Sequence, residues 1–413
     1  MRRFLCCLII AASTHVQALA VEGGSSYSIL GIGDLRFASG VRSAGMGFTG
    51  TALPGSNYIN ILSPGTWSKI NRTRLEASFL MEGFNSSDAS NSRYLANGTF
   101  SGASLAIPIS PDNGIVFIGG FAPYSNVDYD IFTTSTQGGI DFALENTGTG
   151  GFSRGRAGFS YAPRSDLAVG VAVEYMFGEI TRATTLTPSD GSLAGGTTKE
   201  KTTARGTGAL IGAVFSGFGG LAESLNPLVV GFSFSTRSTL RGTILRTSET
   251  LNETDSTSEV ATKLAIPYQL SIGAAYQFGD RYLVTADYAE QPWSTADLGT
   301  IRNTEIRDSR RFGFGVERFG SREQFAGWIQ RVSVRMGFYY EQTYYDANGT
   351  GINAWGITGG MAIPLSGETR LNLALEYGGR GTVRNNLIKD NVFRLAVSLN
   401  ISEEWFVQYN PEE

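Results

Sequence analysis

The sequence predicts an all-β, transmembrane, antiparallel up-and-down barrel of about 14 strands, and three observations carry that expectation. Apolar and polar residues alternate over stretches of about ten positions. The first twenty residues read as a secretion signal. Beyond them, no hydrophobic run reaches the roughly 20 residues that a membrane helix needs. The alternation is clearest near the C-terminus. There, Val332, Val334, Met336, Phe338 and Tyr340 share one face of a predicted strand, opposite Ser333, Arg335, Gly337 and Tyr339. Likewise Leu371, Leu373, Leu375 and Tyr377 oppose Asn372, Ala374 and Glu376, and Phe393, Leu395, Val397 and Leu399 oppose Arg394, Ala396, Ser398 and Asn400. Successive strand side chains point to opposite faces, so each stretch separates an oily environment from a more polar one. Alternation alone leaves open whether the oily face meets lipid or the core of a sandwich. The signal, the strand number and the alternating connection lengths favour lipid.

Residues 1–20 carry Arg2 and Arg3, an apolar stretch over 4–12, and Ala18-Leu19-Ala20 as a small-residue cleavage site. Cys6, Cys7 and His15, the only cysteines and histidine of the chain, lie within this signal. The mature protein is therefore expected to have no disulfide, thiolate nucleophile, imidazole base or zinc site of the usual nitrogen or sulfur type. No enzyme activity, cofactor or metal is expected. Without Arg2 and Arg3 the charged residues number 31 Lys+Arg against 37 Asp+Glu, a mildly acidic balance that argues against nucleic acid as a partner. Glycine, at 53 of 413 residues, is nearly twice its usual share of about 7%, and charged residues, at 17%, fall below the usual quarter. Both biases suit strands that meet lipid on one face and crowd a lumen on the other.

Residues 21–72 are rich in Gly, Ser and Asn and alternate poorly. From residue 73 onward the expected strands centre on 75–81, 102–109, 114–121, 152–162, 167–177, 207–215, 228–235, 268–278, 282–288, 312–318, 332–340, 355–363, 369–377 and 392–400. Short connections at 110–113, 163–166, 279–281 and 365–368 carry Pro, Asp, Asn and Gly and are expected as tight periplasmic turns. Long connections at 125–151, 178–205, 291–310 and 341–354 are expected as extracellular loops. The Thr/Ser-rich stretch 236–265 either extends two strands beyond the membrane or hides another pair. Trp67, Trp293, Trp328, Trp355 and Trp405 all fall at predicted strand ends or in connections, as an aromatic girdle at the headgroups would.

Motifs that suggest chemistry lack their context. Gly45-Met46-Gly47-Phe48-Thr49-Gly50 has dinucleotide-binding spacing but neither the preceding buried strand nor the following helix. Gly151-Phe152-Ser153-Arg154-Gly155 matches a nucleophile elbow in a mature chain with no histidine to act as base, and Ser153 is expected at the mouth of a strand. Three Asn-X-Thr sequons, at Asn71, Asn97 and Asn348, matter only in a eukaryotic secretory pathway. On the expected lumen face sit Glu76, Arg156, Glu174, Asp287, Arg335, Glu376 and Arg394, as structural ion pairs or as a selectivity device. Leu80, Met176, Leu283 and Tyr339 are apolar lumen candidates that would line a ligand pocket or pack against an internal plug.

These residues resemble the FadL-type outer-membrane transporters of long-chain fatty acids and aromatic hydrocarbons. The most specific stretch runs from Ile266-Pro267-Tyr268 to Trp293-Ser294, with Gly273, Tyr276, Asp287 and Tyr288 in place. A second is Ala106-Ile107-Pro108-Ile109 with 114–123, similar to the family's second and third strands, and a third is 43–52, similar to its hatch. The family's hatch Asn-Pro-Ala would fall on Ser63-Pro64-Gly65, which keeps only the proline, with Asn60 nearby. The C-terminal aromatics Trp405, Phe406 and Tyr409 are followed by four more residues, a departure from barrels that end on an aromatic.

The resemblance implies a monomeric barrel in a Gram-negative outer membrane whose residues 21–72 form a lumen hatch, with Gly45, Gly47, Gly50, Asn60 and Pro64 in the gate and 73–413 forming the barrel and a short tail. It also implies passive, hatch-gated passage of a hydrophobic small molecule that leaves sideways into the bilayer beside a kinked third strand. Gly119, Gly120 and Pro123 could supply that kink, because Gly and Pro weaken strand pairing. Lateral exit suits an apolar ligand, which then passes between two oily environments. Competing readings are a structural or secretion-associated scaffold barrel and a general porin.

Overall fold

The computed structural model describes residues 21–403 apart from 38–39, 54, 138, 190–193, 251–253, 300–305, 322, 324 and 348. The expected signal and the C-terminal Trp405, Phe406 and Tyr409 lie outside the described residues. Two short strands, β1 (Val21–Glu22) and β2 (Asp34–Leu35), precede the long ones. These are β3 (Thr73–Ser87), β4 (Ser92–Ser110), β5 (Ile115–Pro123), β6 (Ser125–Gln137), β7 (Ile140–Arg164), β8 (Leu167–Pro188), β9 (Gly196–Phe215), β10 (Leu228–Ser235), β11 (Ser238–Thr250), β12 (Thr254–Ile266), β13 (Gln269–Phe278), β14 (Tyr282–Gln291), β15 (Ser309–Arg318), β16 (Ser333–Ala347), β17 (Thr350–Pro364), β18 (Arg370–Gly381) and β19 (Lys389–Glu403).

These strands close a 14-stranded antiparallel barrel, because three positions in the wall are each filled by two consecutive strands. β5 and β6 both pair with β7. β10 and β11 both pair with β9, and their other edges pair with β13 and β12. The break between β12 and β13 falls at Pro267, which has no N–H to give to a ladder. Closure comes from β19, which pairs with β3 from Lys389↔Ser87 to Glu403↔Thr73.

The oily face of each strand points outward. Met336 and Leu375 are 65% and 62% exposed, whereas the alternate residues Arg335 and Asn372 are 2% and 0% exposed. An apolar exterior around a polar interior is what lipid selects in a closed barrel. We call the end with turns at 111–114, 165–166, 279–281 and 365–369 the lower end, and the opposite end the upper.

The upper half departs from expectation. Most of 125–151, 178–205 and 341–354 is strand, not loop. The described turn residue between β6 and β7 is Gly139 and that between β16 and β17 is Gly349, and β3–β4 turns at 88–91, where Ser90 and Asn91 donate backbone N–H groups to Asp88 and hold its carboxyl below the usual range. β7 has 25 residues and β8 has 22, more than twice the roughly 10 that cross a bilayer. Their polar, Thr-rich upper portions project as sheet because continuous cross-strand pairing satisfies the backbone without loops. Stretch 236–265 is such an extension, not an extra pair of barrel strands.

Residues 23–72 lie against the inner faces of strands around the barrel, and glycines on those strands make the contact possible. A β-carbon on Gly313 would sit 2.5 Å from the Gly47 carbonyl oxygen, and one on Gly315 2.6 Å from that of Met46. Across the lumen, β-carbons on Gly170 and Gly212 would sit 2.6 and 2.7 Å from the Pro64 ring. Part of the glycine excess thus serves this inner-wall contact. Two tryptophans expected in the girdle also belong inside: Trp67 and Trp293 are both 0% exposed, while Trp328 and Trp355 remain outside. Trp67 donates its Nε1 proton to the Asn60 carbonyl (2.6 Å), and Trp293 stacks on Tyr344, so each finds its apolar surroundings in the lumen.

Gly315→Ala is expected to destabilise the barrel by about 1–3 kcal/mol through overpacking against Met46. Gly98→Ala, at a position with no atom within 4 Å, should change it little. Urea unfolding of both variants in one detergent checks the contrast, and equal effects would remove the steric role of the inner-wall glycines.

Candidate functional site

The lumen carries charges that lipid cannot solvate, and residues 23–72 supply many of their partners. The helical turn Val41–Ala44 places Arg42 against Glu317 of β15 (2.6 Å), which also accepts from Arg335 of β16 (2.8 Å). Arg335 donates onward to the Tyr58 hydroxyl (2.7 Å). Higher up, Asp34 accepts from Arg380 (2.7 Å), Arg36 pairs with Glu82, and Arg394 joins Glu82 (3.1 Å) to Glu376 (2.7 Å). On the opposite wall Glu174 pairs with Arg156 (2.6 Å), whose Nη1 donates to the Ile61 carbonyl (3.3 Å). Asp287 takes backbone protons from Gly50 and Thr51, both at 2.7 Å. The seven charged lumen residues expected from sequence all face inward, and each is engaged by the wall or by residues 23–72.

Above these clusters an apolar core fills the upper lumen. Tyr27 and Ile32 pack there with Val127, Tyr129, Trp293, Tyr344 and Tyr345. Below that core lies a cavity of about 160 Å³, bounded by residues 34–37, by Val41, Ile59 and Ile61, and by the inner faces of β3, β4 and β16–β19. Its lining also includes Phe100 and Phe121, whose rings stand on the outer face in a row with Phe79, at centroid spacings of 5.6 and 5.4 Å. The cavity lining therefore extends to aromatic residues of the outer face.

The wall is thin there for a local reason. β4 pairs with β5 only as far as Ala103↔Phe121, and the register slips at Ser101, which is left out of the β3–β4 ladder. Gly102 holds φ +140° at the slip, with Phe121 O 2.9 Å from where its β-carbon would lie. Above Pro123 the chain turns its free edge from β4 to the N-terminal segment: Arg36 N donates to Tyr124 O (2.8 Å), and β2 pairs with Ser125 and Asn126. β1 adds in parallel to Leu95 and Ala96 of β4. Between these patches Asn97 donates to Asp128 (2.5 Å) and Arg93 pairs with Asp130 (3.2 Å).

The expected site residues are distributed as follows. Gly45, Gly47 and Gly50 form one inner-wall contact strip, with Gly47 at φ +64° and its N–H donated to Thr358 Oγ1 (2.9 Å). Asn60 donates to the Gly50 carbonyl (2.6 Å), tying the strip to the turn before Pro64. Gly119 and Gly120 are paired with Leu105 and Ser104 of β4, and the β4–β5 ladder ends at Ala103↔Phe121, two residues before Pro123. Gly119 faces outward beside Phe117, and Gly120 faces Ile61. Of the apolar lumen candidates, Leu80 and Tyr339 line the cavity, with Tyr339 donating to Glu376 (2.6 Å). Met176 packs in the upper core and Leu283 against Met46 and Leu53, so these two lie apart from it. Ser153 sits inside β7, paired with Phe177, rather than at a strand mouth. Arg311, Glu317 and Glu341 were not among the expected lumen residues. Carrying the alternation of Phe312 and Phe314 on in both directions, through Val316, would have placed Arg311 and Glu317 inward.

A family model described as BamG matches residues 1–410. The chain belongs to the BamG family. No curated protein sequence matches it. Among solved structures, this BamG-family chain is similar to the CymD monoaromatic hydrocarbon channel at 16% identity and TM-score 0.60, covering 89% of this chain and 98% of that one. It is similar to the toluene transporter TbuX of Ralstonia pickettii at 17% and 0.57, covering 88% and 98%. A FadL homologue of Pseudomonas aeruginosa is similar at 12% and 0.58, covering 88% and 97%. At these identities the likeness is one of fold: the BamG-family chain has the FadL-type barrel, and family membership rests on the BamG model.

In this BamG-family chain, Glu317→Gln is expected to cost about 3–5 kcal/mol, because it leaves Arg42 and Arg335 buried without their counter-charge. Arg42→Met should cost less, about 1.5–3 kcal/mol, since Glu317 keeps Arg335. Unfolding midpoints rank the two, and the reverse order would show that Glu317 does not hold the cluster together.

Proposed function

We propose that this chain is an outer-membrane channel for hydrophobic small molecules, fatty-acid-like or aromatic, in which residues 21–72 are plug and gate and the opening beside β5 is a side exit into the bilayer. The observation that carries this reading is the cavity itself. Its walls are largely apolar between the inner Leu80 and the outer-face Phe100 and Phe121, so an oily solute passes along it without entering bulk water. The named hydrocarbon and toluene cargo of the neighbouring structures supports the same class of solute. In this reading the far-projecting upper strands face the outside and the lower end faces the periplasm.

A second reading, a scaffold barrel, is favoured by one observation. The lower-end connections expose Leu221, Phe325, Trp328 and Ile329, at 80%, 96%, 63% and 76%. Apolar residues standing out from the barrel suit a protein partner. Co-purification of such a partner, lost on replacing Phe325 and Trp328 by serine, would favour it.

Two measurements test the channel reading. Ser101→Trp, which fills the opening, should lower cellular uptake of toluene or palmitate at unchanged abundance in the membrane; unchanged uptake rejects the side exit. Removing residues 21–72 should raise ion conductance in planar bilayers, and unchanged conductance rejects the plug.

A further inference from the structure

We infer that the outer face of the wall, just above the oily band on β8–β12, binds a phosphorylated glycolipid of the outer leaflet through Arg205, Arg241 and Lys263. The inference rests on the proposed outer-membrane placement with the upper end outside, and on nothing else in the channel reading.

The three cations stand in one row across three adjacent strands. Arg241 of β11 lies directly opposite Arg205 of β9 on one side and Lys263 of β12 on the other. All three side chains are exposed, while the alternate residues Ala204, Leu240 and Leu264 are buried, so the row is on the outer face. Neighbouring strands are about 4.8 Å apart, which puts three positive charges on a line of about 10 Å. Like charges placed directly opposite each other destabilise a sheet.

Elsewhere the same strands pair their charges. Arg246 lies opposite Glu200 and binds it at 2.9 Å, and Lys201 binds Glu179 at 2.8 Å. Among the described residues, none of Arg205, Arg241 and Lys263 has an ion-pair or hydrogen-bond partner. The acidic groups around the row leave it uncompensated. Glu179 is taken by Lys201, Asp297 accepts the Gly299 N–H (3.0 Å), and Glu259 lies four positions up β12 from Lys263.

Height and chemistry name the missing partner. On β8 the outward residues Val171, Val173, Tyr175 and Phe177 are exposed apolar side chains, and the next outward residue is Glu179. Phe177 pairs directly with Arg205, so the row begins where the oily band ends, at the depth of lipid headgroups. Threonines flank the cations on the same face, Thr203 opposite Thr243 above them and Thr207 and Thr239 below. A lipid with its tails on Tyr175 and Phe177, its phosphate on the cations and its sugar hydroxyls on the threonines satisfies all three sets. Phosphatidylethanolamine would bring a fourth cation to the row, and phosphatidylglycerol offers two hydroxyls to four threonines. In the proposed orientation this face meets the outer leaflet, whose principal lipid is lipopolysaccharide, a phosphorylated glycolipid.

The test titrates the full-length protein in detergent with deep-rough lipopolysaccharide, with the same material after phosphatase treatment, and with phosphatidylglycerol, counting retained lipid by native mass spectrometry. Intact lipopolysaccharide should bind most tightly. The triple variant Arg205→Gln, Arg241→Gln and Lys263→Gln should lose about tenfold or more in that affinity, as basic residues acting together at an anionic surface do. Lys199→Gln, six positions up β9 and beyond the roughly 10 Å reach of an exposed charge, should lose less than about threefold. Without lipid the triple variant should be at least as heat-stable as the parent, because its mutual repulsion is gone. A lower melting temperature would show that the row is partnered within the protein, and would overturn the inference. So would unchanged binding in the triple variant, or equal affinity for the dephosphorylated material or for phosphatidylglycerol. An epitope inserted after Gly349 that antibodies reach only once the outer membrane is opened would reject the orientation instead, and the titration would still decide the binding itself.

Discussion

Glu317 between Arg42 and Arg335 states the constraint on which the whole interior depends: a charge inside a barrel can be solvated only by other parts of the protein. Lipid surrounds the wall and the upper lumen is packed with apolar side chains, so bulk water is a poor partner for these groups. Removing an ion from water costs several kcal/mol, and only close, multiply hydrogen-bonded geometry offsets it. Hence the charges come in clusters. Glu82 accepts from both Arg36 and Arg394, and Glu174 takes two arginines and a serine hydroxyl. In several clusters one member belongs to the N-terminal segment, so the wall's own charges make that segment part of the fold.

Close packing of the same segment depends on backbone shape rather than charge. The inner wall presents glycines where Gly47, Met46 and Pro64 approach, and a methyl group at those positions would overlap backbone or ring atoms. Polar groups then finish the fit, as Asp287 accepts from two consecutive N–H groups that no strand could satisfy. Glycines clear the space and the acidic and hydroxyl side chains specify the register. A barrel of this width with fewer inner glycines would have to keep its N-terminal chain at a distance, and the lumen charges would lose their partners.

How much of this was legible in the sequence divides along one physical line. Period-two alternation depends only on strand geometry and a one-sided oily environment, so the strands, their outward faces and their number were readable from Val334 to Tyr340 and their counterparts. Polar extensions such as those of β7 and β8 meet water on both sides, carry no alternation, and so read as loops. The inward charges were visible as residues on the wrong face, but their partners were not. Arg36, Arg42 and Tyr58 sit in a segment without periodicity, and nothing local ties Arg42 to a glutamate 275 positions away. Local composition was a poor guide to pairing as well: Gly119 and Gly120 weaken a strand in principle, yet here cross-strand pairing with Leu105 and Ser104 holds them, and the β4–β5 ladder ends at Phe121, short of Pro123.

The N-terminal segment does two different things at two heights, and its anchors differ accordingly. In the lower lumen it is held by a buried ion cluster at Arg42 and by Pro64 between two glycines, contacts that must be lost together. In the upper half it completes the wall through β1 and β2, two residues each, with side-chain bonds such as Asn97–Asp128 beside them. Pairings that short hold little free energy of their own, and local opening draws on the least stable contacts first. The same stretch also carries Tyr27 and Ile32 into the apolar core of the upper lumen, so packing holds it where its backbone pairing is short. Arg36 and Asp34 lie at the junction between the two regimes. Their pairs with Glu82 and Arg380 tie the upper part to the wall, because separating either pair exposes a buried charge beside the cavity.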